Sequence, residues 1–206
     1  MVSRRLAIGM LVGVMMSVFV VPTSRAAETD TDAKVFIDGL AGEAISALTA
    51  RDISREEREE RARTLLNENF AVPTIGQFVL GRYWRVATPE EREEYLRLFE
   101  QLIVVTYVDR FSRYSGEKLT VRRSVTDAES GDVIVYSEIT RPAAAPIEVG
   151  WRVRSQNGVR KIVDVYVEGV SMGLTQRSDF NSVIRNGGGA VSVLIDEMRR
   201  RVRQDS

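Results

Sequence analysis

The stretch from Thr88 to about Ser115 constrains this chain most, because it reads as a long helix with more apolar surface than one neighbour can cover. Thr88-Pro89-Glu90-Glu91 supplies an N-cap, a proline at the first helical position and a capping-box glutamate, and Gly116 marks the stop. Within it, Tyr95, Leu98, Phe99, Leu102, Ile103, Val105, Tyr107 and Phe111 spread well beyond a single stripe. Layers must therefore pack on more than one side of it. Such a helix is the spine of a fold, and the remaining segments read as what covers it.

Ahead of the spine the pattern is helical. Behind Thr31 or Asp32 as N-cap, Phe36, Leu40, Ala44, Ile45 and Leu48 recur at helical spacing. Ser54 and Glu57 form a capping-box pattern for a second helix, whose mixed-sign run Arg55 to Arg63 suits a solvated face before Leu65, Leu66 and Phe70. Pro73 opens a short third helix carrying Ile75, Phe78, Val79 and Leu80, and Gly81 can end it.

Behind the spine, Leu119 to Glu168 turns to strand signals. Ser130-Gly131-Asp132 and Gln156-Asn157-Gly158 read as hairpin turns, so neighbouring strands are antiparallel. Val149, Trp151 and Val153 alternate with Gly150, Arg152 and Arg154, and Val163, Val165 and Val167 with Asp164, Tyr166 and Glu168. One sheet face is apolar. The strand Asp132 to Arg141 has apolar residues on both faces and reads as more central, and Pro142 and Pro146 bracket a loop after it. After Gly173, Phe180, Val183 and Ile184 fit one helix and Val191, Leu194, Ile195 and Met198 another. Gly187 to Gly189 form a hinge or turn between them. The expected fold class is α+β: an antiparallel sheet of about four strands packed with a helical lobe, with helices at both ends of the chain. Residues 27–116 are mainly helical, 117–170 form the sheet, and 171–206 form the C-terminal helices.

The compartment follows from the first 26 residues. An uncharged run from Leu6 to Val21 follows Arg4 and Arg5 and precedes Ser24-Arg25-Ala26. Roughly 16 apolar residues are short for a span of about 20, and the small residues suit signal peptidase, so residues 1–26 read as a signal peptide cleaved after Ala26. A retained N-terminal anchor is the other reading. Cleavage leaves about 180 residues, enough for one compact domain or two small lobes.

Charge and residue content narrow the chemistry. Taking Arg4, Arg5 and Arg25 from 29 basic residues leaves 26 against 29 acidic ones, a balance unlike the basic face a nucleic-acid partner requires. The chain has no Cys and no His. Disulfides, a Ser-His-Asp triad, a Cys nucleophile and the usual zinc sites are thereby excluded. The lysines left after cleavage, Lys34, Lys118 and Lys161, sit in polar or alternating contexts rather than the desolvated pocket a catalytic lysine needs. An enzyme on this scaffold would have to use Asp109 or Asp164 as base, with Tyr107 or Tyr166 as a hydrogen-bond donor. Asp164 alternates out of phase with Val163 and Val165, which points it away from the apolar face. No catalytic or metal residue is assigned, and no cofactor is implied.

Two blocks carry a family resemblance. Gly81-Arg82-Tyr83-Trp84 through Thr88, Phe99 and Thr106-Tyr107 is one. The more specific is Trp151-Arg152-Val153, Asn157-Gly158, Ile162-Val163-Asp164-Val165 and Glu168-Gly169-Val170-Ser171, followed by Arg177, Phe180 and Ile184. In order and spacing these resemble the MlaC family, also called the toluene-tolerance family, over nearly all of the chain after residue 26. The resemblance implies a soluble periplasmic carrier with a nuclear-transport-factor-2-like sheet beside a helical lobe. It also implies phospholipid acyl chains as ligand, with an inner-membrane ABC transporter complex and an outer-membrane lipoprotein complex as partners. It does not separate phospholipid carriers from relatives associated with hopanoids.

The apolar faces that would line such a lipid slot are Val133, Val135, Val149, Trp151, Val153, Val163, Val165 and Val167 from the sheet, with Phe99, Leu102, Ile103 and Tyr107 from the spine helix. Periodicity identifies a buried face and not what fills it, so sealed core is the competing reading at each position. Tyr83 and Trp84 fit either lobe packing or a lipid-facing rim. Arg199, Arg200, Arg201 and Arg203 fit either favourable charge at a helix end or an attraction for acidic partners.

Overall fold

The computed structural model describes residues 24–50, 52–142 and 144–205. The apolar run Leu6 to Val21 and its preceding arginines lie outside the described residues, and the expected cleavage point after Ala26 falls in the first turn of a helix. That helix, α1 (Ser24–Leu48), starts ahead of the caps expected at Thr31 or Asp32. Helix-compatible Ala26, Ala27 and Glu28 let it extend toward the N-terminus. In α2 (Arg55–Asn69) the Ser54 hydroxyl accepts from the Glu57 amide at 3.1 Å. The reciprocal half of the capping box is absent, because the Glu57 carboxylate pairs with Arg61 at 2.6 Å.

α3 (Val72–Leu80) has its proline at the start and ends at Gly81, whose φ of 61° a side chain would strain. A 3₁₀ turn, Gly81–Arg85, leads to the spine helix α4 (Pro89–Ser112). Its capping box is complete: the Glu91 amide donates to Thr88 Oγ1 at 3.2 Å and the Thr88 amide to Glu91 Oε2 at 2.9 Å.

The sheet comprises β1 (Lys118–Thr126), β2 (Val133–Arg141), β3 (Ala144–Gln156), β4 (Val159–Val167) and the two-residue β5 (Val170–Ser171), in that spatial order and antiparallel throughout. The chain is α+β as expected, with one short strand more than about four. Asn157 and Gly158, at φ 52° and 78°, make the two-residue hairpin between β3 and β4. The loop expected between Pro142 and Pro146 is shorter, since Ala144 already pairs with Arg141 and Pro146 lies within β3 beside an irregularity in register, where a proline is tolerated.

A second irregularity changes a side-chain assignment. Val153 pairs with Ile162, Arg152 with Asp164 and Trp151 with Val165, so β4 carries an extra residue opposite Arg152. The apolar row is therefore Ile162, Val165 and Val167, and the expected alternation fails at Val163. Single-residue bulges leave no mark on a valine-rich pattern. The chain closes with α5 (Met172–Asn186) and α6 (Val191–Asp205), joined by Gly187 to Gly189 as a turn in which the Gly189 amide reaches the Ile184 carbonyl at 2.8 Å.

The apolar interior is divided. One cluster joins Ala33 and Ile37 of α1 to Val133, Val135, Val153 and Ile162 of the sheet. The larger cluster is helical and includes Leu66, Val79, Leu80, Tyr95, Leu98, Phe99, Phe180, Ile184, Leu194 and Met198. Tyr95 is fully buried, its ring 5.8 Å from Phe99 and its hydroxyl donating to the Gly76 carbonyl at 2.9 Å. Burial pushes that hydroxyl's pKa well above the ordinary tyrosine value.

Candidate functional site

Among the described residues, the sheet and the spine helix pack directly on different neighbours. α1 lies over β1 and β2, and α4 packs chiefly on α6 and α2. Val133, Val135 and Val153 are closed off beneath α1. Val149 is buried as well, while Trp151, Val163, Val165 and Val167 are half-buried. On α4, Phe99 is in the helical core between Tyr95 and Phe180, whereas Leu102 and Ile103 are half-buried at its edge. Tyr107 is 44% exposed beneath the guanidinium of Arg110, 5.5 Å from its ring. Of the twelve candidate positions, Val133, Val135, Trp151, Val153 and Val165 belong to the sheet cluster and Phe99, Leu102 and Ile103 to the helical one, while Val149, Val163, Val167 and Tyr107 belong to neither. Helical period marks α1 and α4 equally as apolar-faced, and nothing in either period says which one meets the sheet.

Half-buried side chains border the two clusters, and Phe70 is the seam between them. Phe70 packs against both. Its backbone bridges Ile162, and the neighbouring Ala71 amide donates to the Ile162 carbonyl at 2.9 Å. Lys161 donates to the Asn67 and Glu68 carbonyls at 2.9 and 2.5 Å, placing a cation on the C-terminal end of α2. Phe36, Leu40, Trp151 and Val165 border the sheet cluster, and Leu65, Leu102, Ile103 and Phe111 the helical one. The Trp151 indole stays satisfied, donating to Ser137 Oγ at 2.9 Å, which donates in turn to the Val149 carbonyl at 3.2 Å. Phe36, Leu40, Leu65 and Phe70 are readable as apolar helix positions, but their place at a junction is a tertiary fact.

Two grooves open along α1. The first, about 570 Å³, is lined by Gly42, Glu43, Ser46 and Ala47 of α1 and by Arg61 and Leu65 of α2. The second, about 370 Å³, lies between Leu48, Thr49, Ala50, Arg58 and the end of α4 at Phe111, Ser112 and Tyr114. Arg58 and Arg61 donate to the Ala50 and Ala47 carbonyls at 2.8 and 3.3 Å, covering the C-terminal end of α1. Each groove has a half-buried apolar side chain of the helical cluster in its lining, Leu65 in one and Phe111 in the other.

The polar candidates have structural occupations. Asp164 accepts from the Val165 amide at 2.8 Å, Ser171 Oγ at 2.6 Å and the Gly173 amide at 3.0 Å, which fastens β5 and the start of α5 to β4. Asp109 pairs with Arg113 at 2.9 Å on the surface, and the Tyr166 hydroxyl accepts from Arg152 at 3.3 Å. Tyr83 is buried in the helical cluster and Trp84 packs against it. Arg199 ties α6 to α4 through Glu94 at 2.6 and 2.8 Å, and Arg200 and Arg201 share Glu197.

What these features define is an α+β protein with a divided apolar interior and grooves along the helix common to both halves. Residues 39–200 match the family model described as MlaC protein, and the chain belongs to that family. Among curated relatives, the intermembrane phospholipid transport system binding protein MlaC of Haemophilus influenzae is 25% identical over 192 residues, covering 88% of this chain and 87% of the relative. Among solved structures, a phospholipid-binding protein from Ralstonia solanacearum in complex with a phospholipid superposes with a TM-score of 0.72 at 20% identity. The match covers 84% of this chain and 98% of that one. The likeness places the fold in the same architecture.

Proposed function

We propose that this protein is a periplasmic lipid carrier that holds phospholipid acyl chains along the seam beside α1 and moves lipid between an outer-membrane lipoprotein complex and an inner-membrane ABC transporter complex. The observation that carries the reading is Phe70, half-buried against both cores, with Leu65, Leu102 and Phe111 half-buried against the helical core and Trp151 and Val165 half-buried against the sheet core. A folded chain gains by completing such burial, and acyl chains inserted at the junction would complete it. Val133, Val135, Val153 and Phe99 then support the seam from behind.

Two acyl chains of about 15 methylenes each, at about 0.8 kcal/mol per methylene, cost on the order of 24 kcal/mol to expose to water. An apolar seam cancels most of that cost. Membrane and carrier then offer similar surroundings, so transfer is close to balance and its direction comes from differential affinity for the partner complexes. The carrier itself makes and breaks no covalent bond and needs no cofactor.

The test is mass spectrometry of organic extracts from natively purified protein, paired with uptake from vesicles containing labelled phospholipid. Diacyl lipid should co-purify at near-stoichiometric amount. Recovery of none, together with no uptake, refutes the carrier reading.

A further inference from the structure

Two glycines of α1 have no local reason to be glycine. Of the thirteen glycines among the described residues, seven have a positive φ that a side chain would strain, and Gly76, Gly150, Gly173 and Gly187 have a neighbouring atom within 3.3 Å of where a side chain would start. Gly39 and Gly42 have neither. Both are exposed in helical backbone, and a methyl group added to either would meet nothing within 4 Å. Alanine would fit at both positions, and glycine there only weakens the helix.

Their place in the fold gives that weakness a use, because α1 is held at both ends. Toward its start, Ala33 and Ile37 are buried in the sheet cluster and Phe36 and Leu40 pack against it. Asp30 there accepts from Thr126 Oγ1 at 2.8 Å, and Asp32 pairs with Arg160. Toward its end, Ala47 and Leu48 pack in the helical cluster, and Arg61 and Arg58 donate to the Ala47 and Ala50 carbonyls. Gly42 falls between Leu40, the last contact with one cluster, and Ala47, the first with the other, and Gly39 lies three residues before it. The two halves are also tied where Phe70 and Ala71 meet Ile162 and where Asp164 holds Ser171 and Gly173. Rotation of one half against the other about these ties swings the two anchored ends of α1 relative to one another. A straight helix cannot follow that movement, and a helix bends most readily at glycine.

We propose that α1 is a hinge, flexing at Gly39 and Gly42 so that the sheet and the helical lobe part to admit acyl chains beside Phe70. Hinges are a few residues that absorb the backbone change at a distance from the site they open. What the opening admits rests on the carrier reading; the bend itself does not.

The test uses natively purified protein, with Gly39→Ala and Gly42→Ala singly and together. The chain has no cysteine, so Glu129→Cys in the β1–β2 turn and Ser192→Cys on α6, both exposed, take one spin label each. Pulsed electron paramagnetic resonance then reads the distance between the halves. That distribution should be broad in the parent and narrow in the double alanine variant. Each alanine should raise the melting temperature by about 2–4 °C and slow uptake of labelled phosphatidylglycerol from vesicles roughly fivefold. Adding Ser46→Gly, exposed within the same span, to the double variant should restore breadth and uptake while lowering the melting temperature, an outcome that a merely stabilising role for alanine would not produce. A distribution unchanged by the alanines overturns the hinge, and a narrowed one with undiminished uptake overturns its part in lipid entry. If the parent takes up no lipid, the carrier reading falls, and the distances still decide the bend.

Discussion

Glutamate placed at two valines of the apolar sheet face separates a sealed position from a seam position. Val135 is fully buried under α1, and Val165, beside Trp151, is half-buried. In Val135→Glu the carboxyl cannot keep its charge out of water. Holding it neutral at pH 7 against an unfolded-state pKa near 4.3 costs about 3.7 kcal/mol at 1.36 kcal/mol per unit. The lost valine burial adds about 1.5 kcal/mol. The sum, about 5 kcal/mol, rivals the whole stability of about 5–15 kcal/mol expected for a domain. Water reaches Val165→Glu, so its carboxylate stays ionised and the loss should be about 1–2 kcal/mol. Thermal melts by circular dichroism and lipid mass spectrometry on the same samples are the assay. Val135→Glu should be largely unfolded at neutral pH, and its deficit should shrink as pH falls toward about 4, because a raised folded-state pKa makes the acid form the stable one. Val165→Glu should fold and lose its lipid. If Val165→Glu unfolds as readily as Val135→Glu, or folds and keeps its lipid, the seam does not hold acyl chains at that point.

Tyr95→Phe removes the donor to the Gly76 carbonyl inside the helical core; a loss of about 1 kcal/mol, seen as a melting shift of about 2–4 °C with lipid transfer unchanged, is expected. Asp164→Asn should cost about 1–2 kcal/mol by weakening the three hydrogen bonds that fasten β5 and α5. The double variant with Asp109→Asn should still transfer lipid between vesicles at the wild-type rate; a fall on the order of 10² to 10⁴ in a folded, lipid-loaded protein would assign a catalytic role to one carboxylate.

Local chemistry was the legible part of this chain. Thr88 with Glu91, Pro73 with Gly81, and Asn157-Gly158 each satisfy a backbone requirement within a few residues, so their elements stand where those residues predict. The partner of each apolar face was not legible. Ile37 and Leu98 both sit on helical stripes, yet one meets the sheet and the other the helical lobe, a choice made by chain connectivity and competing packing. Val163 was misassigned for another reason, since one inserted residue in β4 shifts the phase without altering composition. Phe70 reads as the last apolar residue of a helix; its role at the junction depends on Ile162, 92 positions away.

α1 contributes Ala33 and Ile37 to one apolar cluster and Leu48 to the other. Heat or denaturant that loosens the sheet therefore withdraws support from the helices through the same rod, and the reverse holds. Cooperativity is carried by this rod together with the strand-to-helix ties at Ile162 and Asp164 instead of a broad shared interior, so the two halves should unfold in concert.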